Sequence, residues 1–192
     1  MGEMNIHPKI AVIPLVICSG LVLLRVSFLA SGSLPADHAG NTKISINSIS
    51  GSASPQVLSS SYPHYIQQWK SQIEAAAIAH EVDSNLIAAV MLQESGGNPE
   101  AYSSSGAVGL MQVMPRDGYA ASFTCGGQPC FAGRPSIDEL RSPDFNVHYG
   151  TRLLAGLIAH YGSLRSGLKA YGPMDMGYAY ADLVLNIYDR YR

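Results

Sequence analysis

The stretch MLQESGGNPEAYSSSGAVGLMQVMP, Met91 to Pro115, sets one carboxyl, Glu94, at the end of an apolar run and follows it with a loop of glycines and serines. Leu86, Val90 and Glu94 fall at i, i+4 and i+8, so a helix over residues 85–95 gives Glu94 an apolar face. Desolvation there disfavours the charged carboxylate and raises its pKa toward that of a general acid near neutral pH. The negative end of the helix macrodipole pushes the same way. Beyond the helix, Gly106 and Gly109 are points where a backbone approaches a ligand closely. Gln112 offers a donor and an acceptor, and Met111 and Met114 are adaptable apolar contacts. Cys125 and Cys130, in TCGGQPC, are separated by four residues rich in Gly and Pro that let the chain turn. In an exported protein this spacing reads as a local disulfide. No further Cys or His stands near at ligand spacing, so neither a metal nor a cofactor is expected. His80, His148 and His160 are isolated on helices and receive no site role.

Helices must position these groups. YIQQWKSQIEAAAIAHE, residues 65–81, spaces Ile66, Trp69, Ile73, Ala76 and Ala77 at helical intervals. Asp83 or Ser84 caps the next helix, and the Gly96-Gly97 pair stops it. Ser136 followed by Glu139 is a capping box, and Ser142-Pro143 is a cap with proline at the first helical position. Phe145, Tyr149, Leu153, Leu157 and Tyr161 recur every four residues until Gly162 ends the run. A short helix over 163–171 follows, and a last one over 176–191 carries Tyr180, Val184, Ile187 and Tyr191 on one side. The fold class predicted is all-α, one mainly helical domain without internal repeats.

Three motifs in order sharpen this reading. Glu94-Ser95, Gly109-Leu110-Met111-Gln112 and Ala170-Tyr171 resemble the ES, GLMQ and AYN motifs of the soluble lytic transglycosylases, whose domain is lysozyme-like and similar to goose-type lysozyme. Asn98-Pro99 follows the first motif and Met114-Pro115 the second, and the resemblance runs over about residues 65–191. It implies cleavage of the β-1,4 bond between N-acetylmuramic acid and N-acetylglucosamine in peptidoglycan. Glu94 would act as acid and then base, leaving a 1,6-anhydro end. It further implies that Met111 and Gln112 line the sugar groove, that Ser95 and Tyr171 lie near the scissile bond, and that Tyr180 orients Glu94. Two-carboxylate hydrolysis needs a second acid across the bond. Glu100, Asp117 and Asp175 are the acids to consider, and nothing in their setting singles one out. One position departs from the motif: Gly172 stands where the family has asparagine. The rival readings are a goose-type hydrolase acting on the same bond and a glycan-binding protein without turnover.

The 192 residues suffice for one domain with a real core plus some extra at one end. The net charge of −2 and the scattered Lys and Arg exclude a polyanion partner such as nucleic acid. Lys9 to Ala30, KIAVIPLVICSGLVLLRVSFLA, reaches the roughly 20 residues that a bilayer core needs. It is a signal anchor or a cleaved export signal; Phe28-Leu29-Ala30 lacks the small residue of a cleavage site and favours the anchor. Ile17 before Cys18 disfavours lipidation. Residues 31–61, dominated by Ser with Gly, Pro, Asn and Ala, have the composition of a flexible tether. The expected organisation is 1–30 anchor or signal, 31–61 linker and 62–192 catalytic domain. The domain is then exported, facing the periplasm or cell wall, or secreted if the signal is removed. Its partners are peptidoglycan, the membrane through the first segment, and whatever secretion, conjugation or phage machinery uses the cut.

Overall fold

The computed structural model describes residues 57–192. The apolar segment 9–30, Cys18 and the tether up to residue 56 lie outside the described residues. Among the described residues no helix is long and apolar enough to cross a membrane.

Among the same residues seven α-helices are assigned: α1 (His64–Gln67), α2 (Lys70–His80), α3 (Ser84–Ser95), α4 (Ile137–Leu140), α5 (Pro143–Tyr161), α6 (Leu164–Tyr171) and α7 (Tyr178–Tyr191). α3 is the core helix, with Leu86, Ile87, Ala88, Ala89, Val90 and Met91 all buried. It packs against α2 and α7, while α5 packs against α2 and α6, and α6 packs against α7. Burial of apolar side chains on every side of α3 is the main stabilising term, at roughly 1.5–3 kcal/mol for each large aliphatic residue.

The punctuation expected from sequence is present. Asp83 Oδ1 accepts the Asn85 N–H at 2.7 Å and caps α3, and Gly96 ends it in the left-handed region at φ 60°. Ser136 and Glu139 form the reciprocal capping box of α4. Ser142 caps α5 ahead of Pro143, and Gly162 closes that helix at φ 71°. The core also takes in Leu58 and Tyr62, whose hydroxyl donates to the Asn85 carbonyl at 2.7 Å.

Two expectations are corrected. The helix over residues 65–81 is broken at Gln68 and Trp69 into α1 and α2, and the break lets the Trp69 indole N–H donate to the Gly97 carbonyl at 2.9 Å. On α5 the buried residues are Asn146, Val147, Gly150, Thr151 and Leu154, not the four-residue series. Phe145 and Tyr161, the ends of that series, are 38% and 53% exposed. At about 3.6 residues per turn a strict four-residue series advances about 40° at each step, so it winds off any single face.

Between α3 and α4 the chain forms a loop region with a small apolar cluster of its own, Ala107, Met114, Ala120 and Phe131. β1 (Thr124–Cys125) and β2 (Gln128–Pro129) pair antiparallel there. Gly126 and Gly127 turn between them at φ 59° and 80°, as a two-residue hairpin requires. Cys125 and Cys130 are joined by a disulfide across this turn.

Candidate active site

Glu94 is the second-last residue of α3, where the core helix leaves the interior. Its side chain is only partly accessible. Burial pushes its carboxyl up from 4.5 to about 7, partly opposed by a hydrogen bond from Tyr180. Among the described residues no other carboxylate contributes to that shift. The Tyr180 hydroxyl, from the first turn of α7, donates to Glu94 Oε1. Tyr180 is 2% exposed, and burial first, then the nearby Glu94, raise its phenol well above the ordinary value, so it remains a donor across the working pH range.

The Gly109–Gln112 turn lies beside this carboxyl because the hydroxyl of the adjacent Ser95 donates to the Leu110 carbonyl at 2.8 Å. Val108 and Val113 close the turn with reciprocal backbone hydrogen bonds of 3.0 and 3.1 Å. Each carbonyl within the turn's first three residues then finds a side-chain donor. Gln112 Nε2 donates to the Gly109 carbonyl at 3.0 Å, Ser95 serves Leu110, and the Tyr171 hydroxyl donates to the Met111 carbonyl at 2.8 Å. Buried carbonyls without partners are costly, so this pairing makes the turn a rigid wall. Gln112 itself sits at φ 46°, a left-handed conformation uncommon for a side-chain-bearing residue.

Met111 is fully buried, Gln112 is 5% exposed and Tyr171 is 2% exposed. The structure therefore brings Glu94, Ser95, Met111, Gln112, Tyr171 and Tyr180 together, but Tyr180 alone of the five touches Glu94 through a hydrogen bond. Ser95, Gln112 and Tyr171 bind the turn instead. Of the other acids, Glu100 and Asp175 are exposed, and Asp117 accepts the Ile137 N–H at 2.8 Å, which ties the loop region to α4.

Sequence reasoning missed Asn146 and Gly150. Asn146, 1% exposed on α5, accepts the Met111 N–H on its Oδ1 at 2.8 Å. Its Nδ2 donates to the Val108 and Leu140 carbonyls, both at 2.9 Å. Gly150, one turn on, leaves room for Met111: a Cβ there would lie 2.5 Å from the Met111 Cβ. The available signal was a polar residue and a glycine spaced i, i+4 on the true core face, alongside Val147, Thr151 and Leu154.

Comparison with known proteins agrees with the order of these motifs. The membrane-bound lytic murein transglycosylase E of Buchnera aphidicola is 36% identical over 101 residues, 53% of this chain and 44% of that protein. The endo-type membrane-bound lytic murein transglycosylase A of Klebsiella pneumoniae is 40% identical over 112 residues, 58% of this chain and 51% of that protein. The chain thus spans about half the length of these relatives. A solved structure of an inactive mutant of the lytic transglycosylase Slt from Pseudomonas aeruginosa aligns with a TM-score of 0.49 at 22% identity, covering 63% of this chain and 23% of that one. Residues 71–174 match the family described as Transglycosylase SLT domain, and with more than half of its length matched the chain belongs to that family.

Proposed function

We propose that this protein is a peptidoglycan lytic transglycosylase in which Glu94 is the single acid and base. The observation that carries the reading is a partly accessible carboxyl raised to about 7 by burial, steadied by a neutral phenol and without a carboxylate partner among the described residues. Such a group is protonated at the start of a turnover and gives its proton to the glycosidic oxygen as the bond to C1 of N-acetylmuramic acid breaks. The bonding pair leaves with that oxygen. The same carboxylate then takes the proton of the C6 hydroxyl as its oxygen bonds to C1, which closes the 1,6-anhydro ring and restores the acid. The substrate N-acetyl group stabilises the cationic centre in place of a second carboxylate. The rigid turn over residues 109–112 supports this chemistry by holding one wall of the groove in place.

The relatives' names call them membrane-bound. In line with that, residues 1–30 serve as the anchor, residues 31–61 as the tether, and residues 62–192 as the domain that acts on the wall from the outer side of the membrane. The test is mass spectrometry of muropeptides released from purified peptidoglycan by the full chain, with Glu94→Gln beside it. Products one water lighter than hydrolytic ones, absent with the variant, are expected. Reducing ends would assign a hydrolase of the goose type. A folded, glycan-binding protein that releases nothing would assign a binding role.

A further inference from the structure

Gly172 follows α6 with φ −73° and ψ 178°, a conformation open to any residue, so backbone freedom does not explain the glycine. Space does. A Cβ at this position would lie 2.2 Å from both Cγ and Cδ1 of Tyr180 and 2.8 Å from Cδ2. These atoms are the root of a buried ring on a helix packed against α3 and α6, so the ring has no cheap way to yield. The same ring carries the hydroxyl that donates to Glu94.

We propose that Gly172 is a positioning residue for the acid: by carrying no side chain it leaves the space in which the Tyr180 ring lies, and so brings the phenol to Glu94 Oε1. The inference rests on the reading of Glu94 given under Proposed function. It gives a reason for the departure from the AYN motif, since in this chain the volume of a side chain at 172 is already taken by residue 180. Residues 172 and 180 therefore act as a pair, and a side chain introduced at 172 reaches Glu94 through the displaced ring. The titratable groups that face Glu94 are Tyr180 from α7 and Tyr171 from α6, both buried and held neutral. The Tyr180 hydrogen bond opposes the effect of burial on Glu94, so losing it moves the carboxyl further up.

The experiment follows the Glu94 carboxyl by carbon NMR in the full chain labelled at glutamate, assigned with Glu94→Gln, in the parent, Gly172→Ala, Tyr180→Phe and the double variant. Gly172→Ala is expected to raise the titration midpoint by about one pH unit, as Tyr180→Phe does, and the double variant to go no further. The falling limb of peptidoglycan cleavage against pH should move with it. An unchanged midpoint in Gly172→Ala overturns the inference. A midpoint that moves while the cleavage limb stays upholds the pairing and overturns Glu94 as the acid instead. If Gly172→Ala does not fold, thermal unfolding decides: in the Tyr180→Leu background, where the ring is gone, adding Gly172→Ala should cost less than about 2 °C. Failure to fold in that background too would overturn the pairing.

Discussion

The side-chain carbonyl of Asn146 accepts the Met111 amide at 2.8 Å, joining α5 to the turn beside Glu94. Its amide nitrogen serves two further carbonyls, those of Val108 and Leu140. Three backbone groups outside α5 thus depend on one buried side chain.

Asn146→Ala should therefore destabilise the protein by about 3 kcal/mol or more, because it leaves a donor and acceptors unpaired and opens a cavity. Chemical denaturation measures the loss. Asn146→Asp keeps the volume but cannot donate to both carbonyls when ionised, and should lose stability more steeply as pH rises through the carboxyl range.

Cleavage should depend on the protonated form of Glu94. With the carboxyl raised to about 7, the rate at low substrate should be level just below that pH and fall about tenfold per pH unit above it. Glu94→Gln should remove turnover while retaining binding to glycan strands. A turbidity assay on purified peptidoglycan across pH 5–9 at constant ionic strength checks the first, and a pelleting assay the second.

Stability should show the same group with a definite sign. Between the ordinary value of 4.5 and about 7 the folded protein holds a proton that the unfolded chain has lost, so Glu94 makes stability decrease as pH rises through that window. Glu94→Gln removes the dependence. It should be more stable than the parent above pH 7, by up to about 3 kcal/mol, and near parity below pH 4.5. Thermal unfolding of both at pH 4.5 and 8 is the comparison; a parent more stable than the variant at pH 8 would contradict it.

Two glycines with similar backbones should respond differently to alanine. Gly109 is at φ 77° and a Cβ there would lie 2.3 Å from Asn146 Nδ2, whereas Gly96 is at φ 60° with nothing within 4 Å. Gly96→Ala should cost only the left-handed penalty of about 1–2 kcal/mol. Gly109→Ala adds the clash with a fully engaged side chain and should cost clearly more, with peptidoglycan cleavage lost in parallel. Denaturation midpoints of the two variants, measured side by side, make the comparison.

Opening the Cys125–Cys130 disulfide should be mild. A bridge closing so short a loop contributes about 2 kcal/mol by the chain-entropy relation. Its loop packs on the separate cluster of Ala107, Met114, Ala120 and Phe131, away from the core around α3. Reduction should lower the melting temperature by several degrees while leaving cleavage at room temperature largely intact.

Much of this was legible in the chain. The caps Asp83, Ser136 and Ser142 and the stops Gly96 and Gly162 act within one turn of themselves, so local sequence determined where α3, α4 and α5 begin or end. The desolvation of Glu94 was also readable, since an i, i+4, i+8 series fixes a face. The division of α1 from α2 was not: the periodicity continues across Gln68 and Trp69, and the break depends on the distant Gly97 carbonyl.

The site follows the same division. The order and types of Glu94, Ser95, the Gly109–Gln112 turn, Tyr171 and Tyr180 determined from sequence alone which family the chain resembles and which carboxyl to consider. Only the tertiary structure decided what each side chain touches. It puts Ser95, Gln112 and Tyr171 on the carbonyls of the turn, Tyr180 on the acid, Asn146 at the centre of the clamp, and the Tyr180 ring in the space beside Gly172. The reason is physical: helix periods and caps are set by neighbours within about four residues, whereas hydrogen-bond partners and excluded volumes are set by elements that packing brings together from far along the chain.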